Sequence, residues 1–218
     1  MRKIFIIGAG GFGREVLNIL IDLNRIDEVV GFLEENCQRT DEILNGIPIY
    51  DIEVLKNYDK NEIKLVCAIG TPLRKPLIEK TKKMGYDYET LIHPSVIMSE
   101  WVKIGEGCII CAGTILTNQI EIKNHSIINL ACTIGHDVQI GSYTTLSPGT
   151  NISGRVSIGN QCFIGTNVAT VEKVSIGDNT FIGAGALVSK DIPKNVLAFG
   201  VPATTVKIIN KTDWKDLI

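Results

Sequence analysis

The chain has 218 residues, 44% of them hydrophobic and 21% charged, with a formal net charge of −2. That length permits one or two domains with ample core, and so small a charge leaves no electrostatic footprint for nucleic acid or an anionic membrane. No apolar run reaches the ~18 residues of a membrane span, and the first residues read as a strand rather than a secretion leader, so a cytoplasmic protein is expected.

Residues 3–7 form a continuous apolar run, followed by Gly8, Gly10, Gly11 and Gly13 and then by helical spacing over 14–20. A second apolar run, 29–33, ends at Glu34 and Glu35. An excursion over 46–49 leads to a short helix near Asp51, and a third run, 64–69, closes on Gly70 and Thr71 before a helix over 74–84. This strand–helix alternation predicts a small parallel sheet of the Rossmann type within residues 1–90. Gly8, Gly10 and Gly13 fit GxGxxG between a strand and a helix, a spacing that lets backbone N–H groups approach a phosphate. Two readings fit that loop: a nucleotide or nucleotide-sugar diphosphate site, and a tight turn with no ligand. A whole dinucleotide cofactor, and with it an NAD-dependent oxidoreductase, is disfavoured because about 85 residues leave no room for a second mononucleotide-binding half. Glu34 and Glu35 read either as acceptors for ribose hydroxyls or a base, or as solvated acids.

From Ile92 to Ile164 every sixth residue is Ile, Leu or Met; the series fails at Thr170 and resumes at Ile176, Ile182 and Val188. Four residues after these positions runs a second series of small or β-branched residues, from Cys108 to Ala186. A period of six fits neither a helix nor an ordinary strand. It predicts a β-helix over 91–192, with three hexads to a coil of about 18 residues. At roughly 4.8 Å per stacked strand the prism is about 26 Å tall. Residues 193–218 are left as a C-terminal tail. The six cysteines read as reduced thiols used as small hydrophobes, the Cys108 and Cys111 CxxC pair included, because no second pair or histidine stands at ligand spacing.

Of the three histidines, His93 precedes Pro94 where the first coil begins and reads as a structural cap. His125, beside Lys123 and Asn124, reads as a solvated corner. His136 projects from a corner between Gly135 and Asp137, where an acid can orient its ring. On the residues alone, His136 stays open between catalytic base and surface residue.

The Gly8 to Gly13 loop, the hexads, Gly135, His136 and Asp137, Gly154, and the tail sequence Gly200, Val201, Pro202, Ala203 together resemble the NeuD/PglD-type sugar acetyltransferases. These are bacterial sialic-acid O-acetyltransferases and nucleotide-amino-sugar N-acetyltransferases of the hexapeptide-repeat superfamily. The resemblance covers nearly the whole chain. It implies an α/β Rossmann-like nucleotide-sugar domain followed by an all-β left-handed parallel β-helix, a homotrimer, and acetyl-CoA bound between neighbouring prisms. Flat prism faces that would otherwise leave apolar surface bare fit the same assembly.

Position by position, the resemblance implies His136 as general base, Asp137 as its acid neighbour, Asn129 as a residue that positions the imidazole, and Gly154 as the oxyanion donor. It implies Gly8, Gly10, Gly11, Phe12, Glu34, Glu35, Gly70 and Thr71 around the nucleotide sugar. Thr145, Gly154, Thr166, Gly183 and Ala184 would hold acetyl-CoA, and no metal is called for. Two positions depart from the family's pattern: Phe12 stands where many relatives carry His, and Thr145 where a secondary His is common. The implied reaction is direct acetyl transfer to the amine of a nucleotide-linked 4-amino-4,6-dideoxysugar, since no Cys or Ser sits in a nucleophile arrangement beside His136. O-acetylation of a sialic-acid type sugar is the alternative enzyme, and a non-catalytic β-helix scaffold with a nucleotide-binding module the alternative of another class.

Overall fold

The computed structural model describes residues 3–40 and 42–210. The chain divides into two compact units, one of Met1–Gly70 with Arg74–Leu91 and one of Thr71–Leu73 with Ile92–Ile218.

The first unit holds β1 (Lys3–Ile7), α1 (Gly11–Asp22), β2 (Val29–Glu34), β3 (Ile43–Leu44), β4 (Ile47–Asp51), β5 (Ile63–Cys67), α2 (Lys75–Lys83) and β6 (Asp87–Tyr88). Its sheet runs β3-β4-β2-β1-β5-β6. Strand β1 is parallel to both β2 and β5, and Ile4, Phe5, Ile6 and Ile7 are all buried. Burial on both faces is why that strand reads as an unbroken apolar run. Helix α1 buries Gly13, Val16, Leu17, Ile19 and Leu20. A Cβ on Gly13 would lie 2.1 Å from the Gly8 carbonyl oxygen, so only glycine lets the helix start so close to the strand.

One expectation changes here. Residues 47–49 of the excursion belong to β4, which pairs in parallel with β2 and antiparallel with β3. Asn45 and Gly46, both at positive φ, make the two-residue hairpin turn, a signal that the Asn-Gly pair carries on its own.

Through the hexads of the second unit the strands are two residues long, and successive partners lie 18 residues apart, as in Ile122 with Ile140 and Ile140 with Ile158. Three parallel stacks result, so the expected β-helix is present. The aliphatic series faces inward from Ile110 onward. At the sheet ends it is less covered, and Met98 is 45% exposed. Thr170, where the series breaks, receives the Ser153 N–H at 2.9 Å, and its carbonyl takes the Ser153 hydroxyl at 2.7 Å.

The second inward series has a polar logic of its own. Thr114, Ser126 and Thr144 hydroxyls donate to carbonyls 15 residues on, those of Asn129, Gly141 and Gly159. The thiols of Cys108, Cys132 and Cys162 do the same to Lys123, Ser147 and Gly177. Cysteine therefore substitutes for a buried hydroxyl, satisfying a corner carbonyl without a metal. Three residues after each aliphatic position the backbone turns through a left-handed residue, at every sixth position from Gly107 to Gly185. None of those residues is β-branched, as that conformation demands.

His125 overturns its surface assignment. It is 2% exposed and stacks on Tyr143 of the next coil, with ring centroids 5.2 Å apart and planes at 18°. Both occupy left-handed corners one coil apart, so each ring covers its neighbour. The same column continues as an amide ladder through Gln161, Asn179 and Asn195. His93 caps locally, its Nδ1 meeting the Ser95 N–H at 3.0 Å and the Ser95 hydroxyl at 2.8 Å.

Beyond the hexads, Val196–Phe199 pairs with Phe181–Ile182, and Thr204–Ile208 closes antiparallel upon it. The last eight residues of the expected tail, 211–218, lie outside the described residues. Among the described residues no helix is long and apolar enough to cross a membrane.

Candidate active site

The corner after Thr133–Ile134 carries His136. Its carbonyl receives the Arg155 N–H at 2.8 Å, and the Asp137 N–H donates to Asn118 at 3.0 Å, so the corner is pinned to the coils on both sides. Asp137 adopts φ +61°, which turns its carboxylate back onto its own neighbour: His136 Nδ1 and Asp137 Oδ2 are 2.8 Å apart. An ionised Asp137 places the proton on Nδ1 and leaves the Nε2 lone pair outward. The imidazole is 48% exposed, open to a reactant.

On the C-terminal side the ring rests against Gly154, where a Cβ would come within 2.7 Å of Nε2. Arg155 Nε stands 4.0 Å from the Asp137 oxygen that holds the imidazole. Its position was readable from the 18-residue repeat, which puts residue 155 one coil beyond Asp137, yet the residues alone did not single it out. Among the described residues, the hydrogen bond of the imidazole is to Asp137 and none is to a thiol or hydroxyl. Ser153 spends its hydroxyl on Thr170, and burial pushes the Cys132 thiol up to about 11 and the Cys162 thiol up to about 12. The corner offers a base and no adjacent nucleophile.

The other expected residues fall elsewhere on the prism. The Asn129 side-chain oxygen accepts the Leu130 N–H at 2.7 Å, and Asn129 does not meet His136 among the described residues. Asn129 shares an edge with Thr166, Gly183 and Ala184: the Leu130 and Thr166 carbonyls accept N–H groups from Gly149 and Gly185 one coil on. Thr166 and Ala184 are exposed. Thr145, on the strand leading to that edge, is buried at 2%. Within one chain, therefore, His136 with Gly154 and the Asn129 group occupy two different edges of the column.

In the first unit the loop from Gly8 to Gly13 reaches α1 with Gly10 at the N-cap, no side-chain cap and no acid in the first turn. Gly8 takes φ +104° there. Gly10 and Gly11 are exposed and Phe12 half-buried. Such an uncapped terminus presents N–H groups and the positive end of the helix dipole. Glu34 and Glu35 each carry an ion pair. Glu34 is ion-paired with Arg39, whose guanidinium also reaches the Ala9 carbonyl at 3.5 Å. Glu35 is held by Lys80 at 2.6 Å. Gly70 falls in the first unit and Thr71 in the second. Among the described residues no group of three or more His, Cys, Asp or Glu side chains is placed to hold a metal ion.

A three-sided column of hexads bearing an acid-oriented histidine at an edge defines a hexapeptide-repeat acyltransferase. More closely, the chain belongs to the PglD-type sugar acetyltransferases. The family model for the PglD N-terminal domain matches residues 3–81. The model for the bacterial transferase hexapeptide matches 155–190, and that for the hexapeptide repeat of succinyl-transferase matches 100–118.

Among solved structures, the acetyltransferase domain of PglB from Neisseria gonorrhoeae is 30% identical over 94% of this chain and 100% of that one, with a TM-score of 0.87. PerB from Caulobacter crescentus, in complex with CoA and GDP-perosamine, is 31% identical over 95% of this chain and 98% of that one, also at 0.87. A curated relative, UDP-N-acetylbacillosamine N-acetyltransferase of Bacillus subtilis, is 33% identical over 115 residues. That match spans about half of each protein, 51% of this chain and 52% of the relative.

Proposed function

We propose that the chain transfers an acetyl group from acetyl-CoA to the amino group of a nucleotide-linked 4-amino-4,6-dideoxysugar. The observation that carries this reading is the His136 corner: an exposed imidazole whose Nδ1 is bound by Asp137 and whose Nε2 lies against Gly154. Nε2 takes a proton from the acceptor amine as its nitrogen attacks the thioester carbonyl. The Gly154 N–H meets the developing oxyanion; the C–N bond forms, the C–S bond breaks, and the imidazolium returns its proton to the departing CoA sulfur. A general base of this kind contributes about 10²–10⁴-fold, and one oxyanion donor roughly 3–4 kcal/mol.

The uncapped helix terminus after Gly10 suits a diphosphate, which favours a nucleotide-linked acceptor over a free sugar. Both reactants are cytoplasmic metabolites, so the enzyme works there.

The active unit is a homotrimer. Asn129, Thr166, Gly183 and Ala184 lie on one edge of the column and His136 with Gly154 on another, so two copies must meet for one acetyl-CoA to touch both sets. Exposed Ile97, Ile115 and Leu130 give copies apolar surface to bury.

The test is to incubate the protein with acetyl-CoA and a panel of UDP-, GDP- and TDP-linked amino sugars, free amino sugars and sialic acid, and to follow product mass. One acetyl group gained on a nucleotide-linked amine is the expected result. Acetylation of a sialic-acid hydroxyl alone would reassign the acceptor, and no product together with no thermal stabilisation by any reactant would make the column a scaffold.

A further inference from the structure

Asp137 and Arg155 occupy the same corner of successive coils. Both take the left-handed backbone, at φ +61° and +60°, so their side chains leave the column in the same direction, about 4.8 Å apart at the spacing of stacked strands. The left-handed residues of that corner run Gln119, Asp137, Arg155, Lys173: an amide, the acid and two cations. Arg155 touches both members of the His136 pair. Its backbone N–H donates to the His136 carbonyl at 2.8 Å. Its Nε stands 4.0 Å from Asp137 Oδ2, the oxygen that lies 2.8 Å from His136 Nδ1.

We infer that Arg155 is a positioning residue for the His136 base: it pins the Asp137 carboxylate where that carboxylate pins the imidazole. This role rests on the proposed acetyl transfer and adds a residue to it. The Asp137 side chain is 44% exposed, so water competes for its oxygens, and rotation about its Cα–Cβ bond would carry the carboxylate off Nδ1. A guanidinium one coil on gives the same oxygen a second anchor. Arg155 moves no proton; its effect reaches the reaction through Asp137 and the tautomer that leaves the Nε2 lone pair outward. An exposed ion pair holds weakly, so the effect is a few-fold rather than a hundredfold. The backbone bond to His136 survives substitution, which lets a variant remove the side chain alone.

Arg155→Gln keeps much of the length and loses the charge. Its kcat should fall about three- to fivefold, with KM for acetyl-CoA and for the nucleotide-linked amino sugar within about twofold, and Arg155→Lys should restore most of the loss. In an Asp137→Asn background the same substitution should change kcat by less than about 1.5-fold, since the carboxylate it acts through is gone. A second readout needs no turnover. The chain has three histidines, so imidazole nitrogen-15 shifts can be assigned to His136 by their loss in His136→Ala. At about pH 8.5, where a free imidazole is neutral, wild-type His136 should show a protonated Nδ1 and a bare Nε2. Arg155→Gln should move both shifts toward the average of the two tautomers.

Nitrogen shifts unmoved in Arg155→Gln overturn the positioning role, and with acetyl transfer continuing they leave the enzyme reading intact. A rise in KM for acetyl-CoA at unchanged kcat also overturns it, making the guanidinium a contact of the co-substrate instead. An equal loss of kcat in the Asp137→Asn background, or a changed oligomeric mass, shows an effect that does not pass through Asp137 and rejects the role. Failure of the wild type to acetylate any nucleotide amino sugar rejects the enzyme reading, while the His136 shifts still decide whether Arg155 holds Asp137.

Discussion

Gly154 and His136 are in contact through the one atom that glycine lacks. A Cβ on Gly154 would stand 2.7 Å from Nε2 and 2.8 Å from Cε1 of the imidazole, nearer than real atoms approach. The absent methyl fixes where the ring lies, and the ring fixes where a proton can be taken. Gly154→Ala should therefore displace the imidazole with little effect on the coil. A shift of about 1 Å in a reacting group can cost on the order of 10²-fold, so kcat should fall about a hundredfold while circular dichroism stays unchanged. Turnover within a few-fold of wild type would show that the ring's position there does not matter.

Asp137 combines a left-handed backbone with a bond to Nδ1. Asparagine tolerates that conformation, so Asp137→Asn removes the charge without straining the turn. Its kcat should drop on the order of ten- to a hundredfold, because the amide no longer anchors the imidazole tautomer with the Nε2 lone pair outward. Steady-state kinetics at saturating acetyl-CoA reads this out. An unaltered kcat would reduce Asp137 to a corner residue.

The thiols give a pH prediction. Burial pushes Cys67 and Cys132 up to about 11 and Cys162 up to about 12, from an ordinary 9.0. In the folded chain they keep their protons where an unfolded chain would lose them, so their contribution to stability is complete below about pH 9 and falls as pH rises above it. Cys37 is only half-buried, whereas the other five cysteines are buried. Native alkylation at pH 8 should modify Cys37 alone, and denaturation should release all six, counted by intact mass. Rapid native labelling of Cys132 or Cys162 would contradict their packing.

Inward and outward residues of a strand should differ sharply. Ile140 is buried in the column and Gln139, its neighbour, faces out. Ile140→Ala should cost about 2–5 kcal/mol, the range for removing a core aliphatic side chain. Gln139→Ala should stay within about 0.5 kcal/mol. Denaturant melts separate the two, and equal effects would contradict the hexad register.

The column was legible because its period is a property of the chain alone. Ile110, Ile140 and Ile158 announce the inward face wherever the partner coil lies, since every neighbour is another copy of the same pattern. His125 was misread because its burial depends on Tyr143, a partner one coil away and off the aliphatic series. Strand β4 hid for a different reason: its five residues include Pro48, and the pairing with β2 leaves little trace in so short a stretch. The His136 corner was visible as Gly-His-Asp spacing, and the 18-residue repeat puts Arg155 one coil beyond Asp137, but the ion pairs that Arg39 and Lys80 make with Glu34 and Glu35 needed the folded chain. So did the division of the expected acetyl-CoA residues between two edges.

The proposed transfer depends most on His136 as the proton acceptor. The direct measurement is kcat for His136→Ala beside wild type, with circular dichroism and oligomeric mass checked for both. A fall of several hundred-fold or more in an intact assembly is the predicted result. Near-normal turnover in that variant would contradict the mechanism.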